Sequence, residues 1–351
     1  MKIGIISASN IRYSPYIFYY TKILDSCSID YELIFANQEQ VEDEFKKESL
    51  CVNWNSKRPR SIEYGVYAKK VIKIIKNKKY DGLIVLTSIM ATYLSIFLKN
   101  NYKNRYIVDI RDYTHENIKP YFILEKIGVN NSALNIISSP KFKTFLPSGN
   151  YRVCHNMNFD VIDYNKKWKK PDKTRIKIGY IGAVIYKSQC KSLINLVLED
   201  ERFELHIYGF EPGDDSVKQM VHDIDYNRIT YHGPYVPEEK NRIIESVDIL
   251  FNTYGNGCPL LDTALSNKLY DAMYFKKLLL TSKQTYMEEV GGKIAFSLDY
   301  AEAKNLDALF EWITNLEEEE VQEYQDMSIK KFVEENDETE QDVINTLNKW
   351  M

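Results

Sequence analysis

The sequence predicts an α/β protein with two parallel sheets, each in a domain of its own. Strand-like and helix-like segments alternate along most of the 351 residues, and this alternation is typical of βαβ units. It is interrupted once, by the basic, proline-containing segment 163–177, which is predicted to be a linker. A chain of this length accommodates two domains. We therefore expect two Rossmann-like domains, over residues 1–165 and 176–334.

The individual elements follow from hydrophobic patterning. In the first half, short apolar segments predict strands at 2–7, 31–37, 82–86, 106–110, 133–138 and 151–155. Helical periodicity predicts helices between them at 15–27, 62–77, 89–98 and 120–127, whereas the polar stretch 38–60 fits neither pattern. In the second half, strands are predicted at 176–181, 204–208, 229–232, 248–252 and 278–281, with helices at 190–198, 237–246 and 267–275. The tail from residue 303 is predicted to be helical and acidic.

Composition excludes several classes of protein. Apolar residues make up 44% and aromatic residues 13% of the chain, which is globular and not disordered composition. The five cysteines are scattered without a CxxC pair, so we expect reduced thiols and a cytoplasmic protein. The amino-terminal segment lacks a signal-peptide pattern. The longest apolar run, 83–98, is shorter than the roughly 20 residues of a membrane span.

Charge is divided unevenly between the two halves. Residues 1–177 contain 30 Lys and Arg against 17 Asp and Glu, or +13, and residues 178–351 contain 16 against 33, or −17. The predicted helix over 62–79 carries six lysines interleaved with Val and Ile. Such a helix can lie on an anionic membrane, although a solvated face over a buried apolar stripe is the alternative. We therefore expect peripheral attachment to the inner face of the plasma membrane, and no nucleic-acid partner because no basic-aromatic motif is present.

The segment 252–282 offers the strongest candidate site. Ligands of open parallel sheets bind at the carboxyl ends of the strands. Here a predicted strand ends, a glycine-containing loop follows, and a helix begins near Asn267. The unpaired N–H groups of that helix end suit an anion, and Lys268 adds a cation. The carboxylate of Asp271 could accept hydrogen bonds from a sugar diol, the alternative being a capped surface helix with an ion pair between these two side chains.

A second polar cluster follows the predicted strand 106–110 and comprises Asp109, Arg111, Asp112, His115 and Glu116. Asp112 or His115 could act there as general base on an acceptor hydroxyl. The alternative is an Arg–Asp network that only fixes the loop. Ser9 and Asn10 follow the first predicted strand, and together with Arg111 they are the predicted acceptor-binding residues.

Neither a metal nor a cofactor is expected. The one DxD pattern, at 223–225, lies in a predicted helix-to-loop segment and not after a strand. A helix dipole and lysines can neutralise a leaving diphosphate without a metal ion. The chain has no GxGxxG or Walker pattern, which argues against binding of NAD or ATP.

Several segments together resemble GT-B glycosyltransferases, specifically the family 4-like enzymes of bacterial capsular and surface polysaccharide biosynthesis. The likeness is carried by NKLYDAM with YFKKLLLTS (267–282), IGYIGAVIYKSQ (178–189), HIYGF (206–210), ITYHGPYVPEE (229–239) and VCHNMNF (153–159). It covers most of the chain and is most specific in the second half.

The resemblance implies a nucleotide-sugar donor, UDP-linked, bound by the second domain. Asp271 would bind the ribose hydroxyls, and Tyr235 would lie near the base. The diphosphate would be held by Lys268, Lys187 and the backbone at Gly182 and Ala183, and Asn267 is a further predicted donor-binding residue. The resemblance also implies a cleft between the domains, a C-terminal helix over 335–351 that packs back on the first domain, and metal-independent transfer with retention at the anomeric carbon. The acceptor would be a glycan or a lipid-linked oligosaccharide.

Three positions depart from the family pattern. Ala183 stands where the family often has Arg, Thr263 stands where it has the first of two acidic residues, and Lys187 is one position short of the usual lysine. Two alternatives therefore accompany the transferase hypothesis. One is a nucleotide-sugar epimerase of the GT-B fold, and the other is a non-catalytic GT-B-like subunit that binds a partner enzyme.

Overall fold

The computed structural model describes residues 1–10, 14, 16–37, 49–54, 57–157 and 162–351. The chain forms two compact units, the first from Met1–His155 with Glu334–Met351 and the second from Asn156–Val333. Each unit contains one sheet in which every strand pair is parallel, so the predicted fold class is confirmed. Asn158 and Phe159, part of the segment 7–16 and most of the stretch 38–60 lie outside the described residues.

The first unit is built on a sheet of order β3-β2-β1-β4-β5-β6-β7. Its strands are β1 (Lys2–Ser7), β2 (Asp30–Asn37), β3 (Ser49–Asn53), β4 (Gly82–Leu86), β5 (Tyr106–Ile110), β6 (Leu134–Ile137) and β7 (Tyr151–Val153). Its helices before the C-terminal segment are α1 (Ile17–Ser26), α2 (Arg60–Lys78), α3 (Ser88–Asn101) and α4 (Lys119–Asn130), with a 3-10 turn at Pro140–Thr144.

The second unit has a sheet of order β10-β9-β8-β11-β12-β13. Its strands are β8 (Ile176–Ile181), β9 (Phe203–Tyr208), β10 (Ile229–Gly233), β11 (Ile249–Asn252), β12 (Leu278–Thr281) and β13 (Ala295–Ser297). Its helices are α5 (Lys187–Leu198), α6 (Ser216–Ile224), α7 (Lys240–Glu245), α8 (Pro259–Thr263), α9 (Asn267–Tyr274), α10 (Tyr286–Gly291), α11 (Asp307–Asn315) and the first part of α12 (Glu318–Asn348). The strand order reverses between β8 and β11, where α/β sheets bind ligands.

The C-terminal end of α12 and the residues after it belong to the first unit. Val343 and Leu347 are fully buried in an apolar cluster with residues of β1, α1 and β2. The Trp350 indole donates from Nε1 to the Asn104 carbonyl over 3.0 Å and lies against Gly82, where an added Cβ would overlap the ring. The missing side chain of Gly82 therefore makes room for the indole.

The segment predicted to be a linker packs on the second unit. Trp168 is buried in the second core, and its backbone N–H donates to Gln322 Oε1 over 2.6 Å. Lys170 donates to the Thr314 carbonyl over 3.0 Å. Because these contacts tie the segment down, the division between the units falls after His155, earlier than the sequence pattern indicated.

Five labelled elements have no counterpart among the segments that were predicted with bounds. They are β3, α6, α8, α10 and β13. β3 and β13 are edge strands, and an edge strand lacks the long apolar run that marks a central one. Within the described ranges, no helix is both long and apolar enough to cross a membrane.

Candidate functional site

Two glycines meet at the carboxyl ends of β8 and β9. Gly182 and Gly209 have positive φ angles of 127° and 145°, a conformation that favours glycine. An added Cβ on Gly209 would collide with the Gly182 carbonyl oxygen, so the close approach of the two loops requires glycine there. On Gly182 itself, an added Cβ would lie 3.5 Å from Lys268 Nζ. The backbone after β8 and the Lys268 amine therefore face one another.

Lys268 is held in an aromatic setting. Its Nζ donates to Tyr254 Oη over 2.7 Å and lies 5.3 Å from the Tyr254 ring centroid and 6.0 Å from that of Tyr180. The Tyr254 ring stacks on Tyr186 at 4.0 Å. Burial lowers the Lys268 pKa to about 8, and the charge of Asp271 opposes part of that shift. An ammonium with so little water around it would gain strongly from an anionic ligand.

Asp271 lies one helical turn after Lys268 and is 4% exposed. Lys240 lies 3.0 Å from its Oδ1 and 2.9 Å from its Oδ2. Burial raises the Asp271 pKa, while Lys240 and Lys268 pull it back down. Burial raises the pKa of Tyr235, and the negative charge of nearby Asp271 raises it further. The predicted residues Tyr235, Lys268 and Asp271 thus come together in the structure.

The first turn of α9 is organised by side-chain amides. Asn267 Oδ1 accepts from Asn156 Nδ2 over 2.6 Å, and Ser266 Oγ donates to Asn252 Oδ1 over 2.7 Å. The helix has no side-chain cap on its first N–H groups. Asn252 is 2% exposed, and its Nδ2 has no hydrogen-bond partner in the described part of the chain. Unpaired donors therefore accumulate at this helix start.

Lys187 belongs to a different cluster. Its Nζ lies 2.7 Å from Asp214 Oδ1 and 3.2 Å from Glu211 Oε1, and it donates to the Asp214 carbonyl over 2.6 Å. Burial lowers the Lys187 pKa, but the hydrogen bonds and charges of Asp214 and Glu211 together outweigh it, so the net shift is upward. Its charge is already matched by two carboxylates, and its role as a diphosphate ligand stays a prediction. The Ala183 carbonyl accepts from Tyr180 Oη over 3.0 Å, which fixes the loop after Gly182.

A polar cavity of about 410 Å³ opens beyond the loops after β11 and β12. It is lined by hydroxyl, amide and charged groups that include Gln189, Asn256, Ser282, Lys283, Asp299 and Tyr300. Its backbone floor contains Gly255, whose φ of 94° places it in the glycine region. A cavity with this lining suits a neutral, hydroxyl-rich ligand better than an apolar one.

In the first unit, Arg111 and Asp109 form a buried network. Arg111 Nε lies 2.6 Å from Asp109 Oδ1, and its Nη2 lies 2.8 Å from Oδ2. Tyr20 donates to the same carboxylate over 2.6 Å, and Arg111 Nη1 donates to the Cys154 carbonyl over 2.8 Å. The Arg111 side chain is 7% exposed. This is the loop-fixing network that the sequence left as the alternative, and Arg111 as an acceptor ligand stays a prediction.

Asp112 and His115 lie in the loop after this network. Both residues are exposed, and the His115 ring packs edge-on against Tyr121 at 5.6 Å. Although Asp112 is exposed as a whole residue, partial desolvation of its carboxyl raises its pKa, with Arg111 opposing and Glu116 adding to the shift. The pKa of an effective general base lies near the working pH, and a raised pKa brings a carboxyl closer to that value at neutral pH. Asp112 and His115 remain predictions for that role.

The loop after β1 is tied down by its own polar groups. Ser9 Oγ lies 2.7 Å from Ser14 Oγ, and Asn10 Nδ2 donates to Asn37 Oδ1 over 3.0 Å. Asn10 is 1% exposed and its side chain supports the loop, so its role in acceptor binding stays a prediction. Ser9 is partly exposed and stays a prediction for acceptor contact.

No metal cluster was found in the described ranges, where no three His, Cys, Asp or Glu side chains could hold one ion together. In the DxD pattern, Asp223 Oδ1 accepts a hydrogen bond from Gln219 Nε2 over 2.7 Å. Asp225 is the C-cap residue of α6 and has a left-handed backbone conformation. The two carboxylates therefore belong to a helix end away from the carboxyl edge of the sheet.

Sequence reasoning missed two parts of the site. Lys240 partners Asp271 from a different helix, and the tyrosines at 186 and 254 stack beside Lys268. A signal for Lys240 was available, since it directly follows the segment 229–239 that drew attention. The tyrosine pair carried no signal, because its two members are far apart in sequence.

Comparison with known proteins gives the same architecture. No protein-family model matches the chain, and no curated protein matches it in sequence. Among solved structures, Anabaena HepE in complex with UDP matches with a TM-score of 0.70 at 13% identity, covering 99% of this chain and 100% of that one. Sucrose-phosphate synthase from Thermosynechococcus elongatus matches at 0.68 with 10% identity over 95% and 94%. The lipopolysaccharide outer core galactosyltransferase WaaB in its apo form matches at 0.64 with 14% identity over all of both chains. At these identities the likeness shows the fold, which is that of GT-B glycosyltransferases.

Proposed function

We propose that this protein is a glycosyltransferase that moves a sugar from a nucleoside diphosphate, UDP-linked, to a glycan or lipid-linked oligosaccharide in surface polysaccharide synthesis. The observation that carries the proposal is the group formed by the Gly182 backbone, Lys268 and Asp271 in the second unit. The GT-B fold and the UDP present in the HepE complex agree with it.

The chemistry of this group fits a nucleotide diphosphate. Lys268 and the unpaired N–H groups of α9 offer positive potential to phosphate oxygens. The Asp271 carboxylate, kept ionised by Lys240, accepts hydrogen bonds from the ribose hydroxyls. Tyr235, which is near enough to feel the charge of Asp271, would provide an aromatic surface for the base. Catalysis then consists mainly of positioning the donor and stabilising the leaving diphosphate.

Transfer is proposed to be metal-independent and retaining. If the reaction instead inverts the anomeric carbon, it needs a general base, for which Asp112 and His115 are the candidates in the first unit. Activity is expected to survive EDTA, because lysine and helix N–H groups supply the positive charge. Loss of activity in EDTA with rescue by Mn²⁺ would contradict this mechanism.

The proposed function is tested by measuring nucleotide release from a panel of nucleotide-sugars with and without a lipid-linked acceptor. A transferase releases UDP in an acceptor-dependent manner. UDP release or sugar inversion that needs no acceptor would favour the epimerase alternative. Nucleotide binding without turnover of any donor would favour the non-catalytic subunit.

Membrane attachment is a further part of the proposal. Helix α2 exposes most of its lysines, and Ile62 on α2 and Ile96 on α3 are 56% and 51% exposed. Lysines near an anionic surface contribute about 1 kcal/mol each, and salt screens them. Sedimentation with anionic liposomes should therefore fall sharply as salt rises, and equal binding to neutral liposomes would refute the electrostatic attachment.

A further inference from the structure

Two histidines face one another on adjacent strands of the second sheet. His206 lies on β9 and His232 on β10, and His206 Nδ1 is 3.1 Å from His232 Nε2. The pairing of β9 with β10 is irregular between Tyr231 and Gly233, so His232 is the extra residue of a bulge. β-bulges re-aim side chains, and this one lies directly at the histidine pair.

The surroundings of the pair fix the orientation of both rings. The His232 ring stacks on Tyr208 at 4.1 Å with an interplanar angle of 2°. On the far side of His206, Nε2 lies 3.5 Å from Glu204 Oε2. That Nε2 is buried and has no hydrogen-bond partner in the described part of the chain. Glu204 is in turn paired with Arg175 at 2.8 Å.

We propose that His206 and His232 form a binding site for one divalent transition-metal ion of the imidazole-preferring kind, such as Zn²⁺. Two nitrogens bound to one ion at about 2.0–2.1 Å lie about 2.9–3.4 Å apart for bond angles between 90° and 109°. The observed separation of 3.1 Å falls inside that interval. His232 is exposed, so an ion can enter from solvent and water can complete its coordination.

The protonation states that binding requires are available. Both facing nitrogens must be unprotonated, so His206 keeps its proton on Nε2 and His232 on Nδ1. The negative charge of Glu204, 3.5 Å from His206 Nε2, favours a proton on that nitrogen.

Binding at this pair would tie the edge strand β10 to β9. With two protein ligands the site is weaker than the four-ligand structural zinc sites. A bound ion stabilises the folded protein by RT ln(1 + c/Kd), where c is the free concentration of Zn²⁺. This inference is independent of the proposed glycosyltransferase activity, because the pair contains none of the residues assigned to the donor.

The test is calorimetric titration of the full-length protein, freed of metal, with Zn²⁺ at pH 7.5. The wild type should show one site that is weakened about tenfold or more in His232→Ala and in His206→Gln. Glu204→Gln should weaken it less. The matched control is His222→Ala, which removes an exposed imidazole that also has a carboxylate, Asp223, at 3.5 Å. The control should bind Zn²⁺ with the same affinity as the wild type. Binding of Zn²⁺ by cysteine thiols is common to all variants, because none of the substitutions changes a cysteine.

A thermal-shift measurement separates loss of the site from loss of the fold. Zn²⁺ should raise the melting temperature of the wild type and of His222→Ala, and should not raise that of a folded His232→Ala protein. Zn²⁺ affinity that is unchanged in His232→Ala, or an absence of binding by the wild type, would overturn the proposal.

Discussion

Lys240 Nζ lies 2.9 Å from Oδ2 of Asp271, and this pair joins two helices of the second unit beneath the candidate donor site. The Asp271 side chain is 6% exposed and that of Lys240 is 30% exposed. The lysine keeps a buried carboxylate ionised. The proposed recognition of ribose by Asp271 therefore depends on a residue outside the segment 252–282.

Removing Lys240 should expose this dependence. Lys240→Met leaves the Asp271 charge buried without its partner, which we expect to cost about 1–3 kcal/mol of unfolding free energy at neutral pH. The matched control is Lys218→Met, whose partner Asp215 and own side chain are 68% and 59% exposed, and which should change stability by less than about 0.5 kcal/mol. Urea unfolding measures both, and equal effects of the two substitutions would contradict the role given to Lys240.

The Lys268 pKa of about 8 predicts a pH dependence of nucleotide binding. Burial lowers this pKa, so the amine loses its charge as pH rises through 8, and UDP affinity should fall between pH 7 and pH 9. The Lys268→Met protein should bind UDP more weakly. Its UDP affinity should also lack the fall between pH 7 and pH 9 that titration of Lys268 causes. Lys187→Met is the control, because Lys187 is occupied by Asp214 and Glu211. A pH profile that is the same in the wild type and in Lys268→Met would rule out the assignment.

Glu125 predicts a second pH effect, on stability in the first unit. It is fully buried on α4, neither carboxyl oxygen has a hydrogen-bond partner in the described part of the chain, and burial raises its pKa to about 8. The pKa of Glu125 is higher in the folded than in the unfolded protein. Its contribution to the free energy of unfolding is therefore present at low pH and is lost as the pH rises through 8. Glu125→Gln should therefore gain stability relative to the wild type between pH 5 and 9, on the order of 3 kcal/mol. Glu201→Gln, whose side chain is 85% exposed, should show no such trend in urea unfolding midpoints.

The contact between Gly82 and Trp350 can be tested by a double-mutant cycle. Gly82→Ala places a methyl group inside the indole and should destabilise the protein by about 1–3 kcal/mol. The penalty should shrink when Trp350→Ala is also present. The control Gly65→Ala has only an ordinary contact at 3.8 Å in the middle of α2 and should be neutral or slightly stabilising. Additive effects of the Gly82 and Trp350 substitutions would show that the indole does not lie on Gly82.

Local patterning predicted the sheets well, because buried parallel strands are short apolar runs. β1, β4, β5, β8 and β12 have the bounds that the sequence indicated. Side-chain partners were less accessible. Lys187 pairs with Asp214 and Glu211, and Lys240 with Asp271, through contacts between elements distant in sequence. The facing of His206 and His232 depends on a bulge between two strands, which hydrophobic patterning does not encode.

The central claim is that the second unit binds a nucleoside diphosphate through Asp271, and calorimetry with UDP tests it most directly. Losing a charge-assisted hydrogen bond costs about 1.5–3 kcal/mol, so Asp271→Asn should weaken UDP binding by about tenfold or more. Asp223→Asn, a change of the same kind on an exposed helix, should leave the affinity as in the wild type. Unchanged UDP affinity in a folded Asp271→Asn protein would contradict the account.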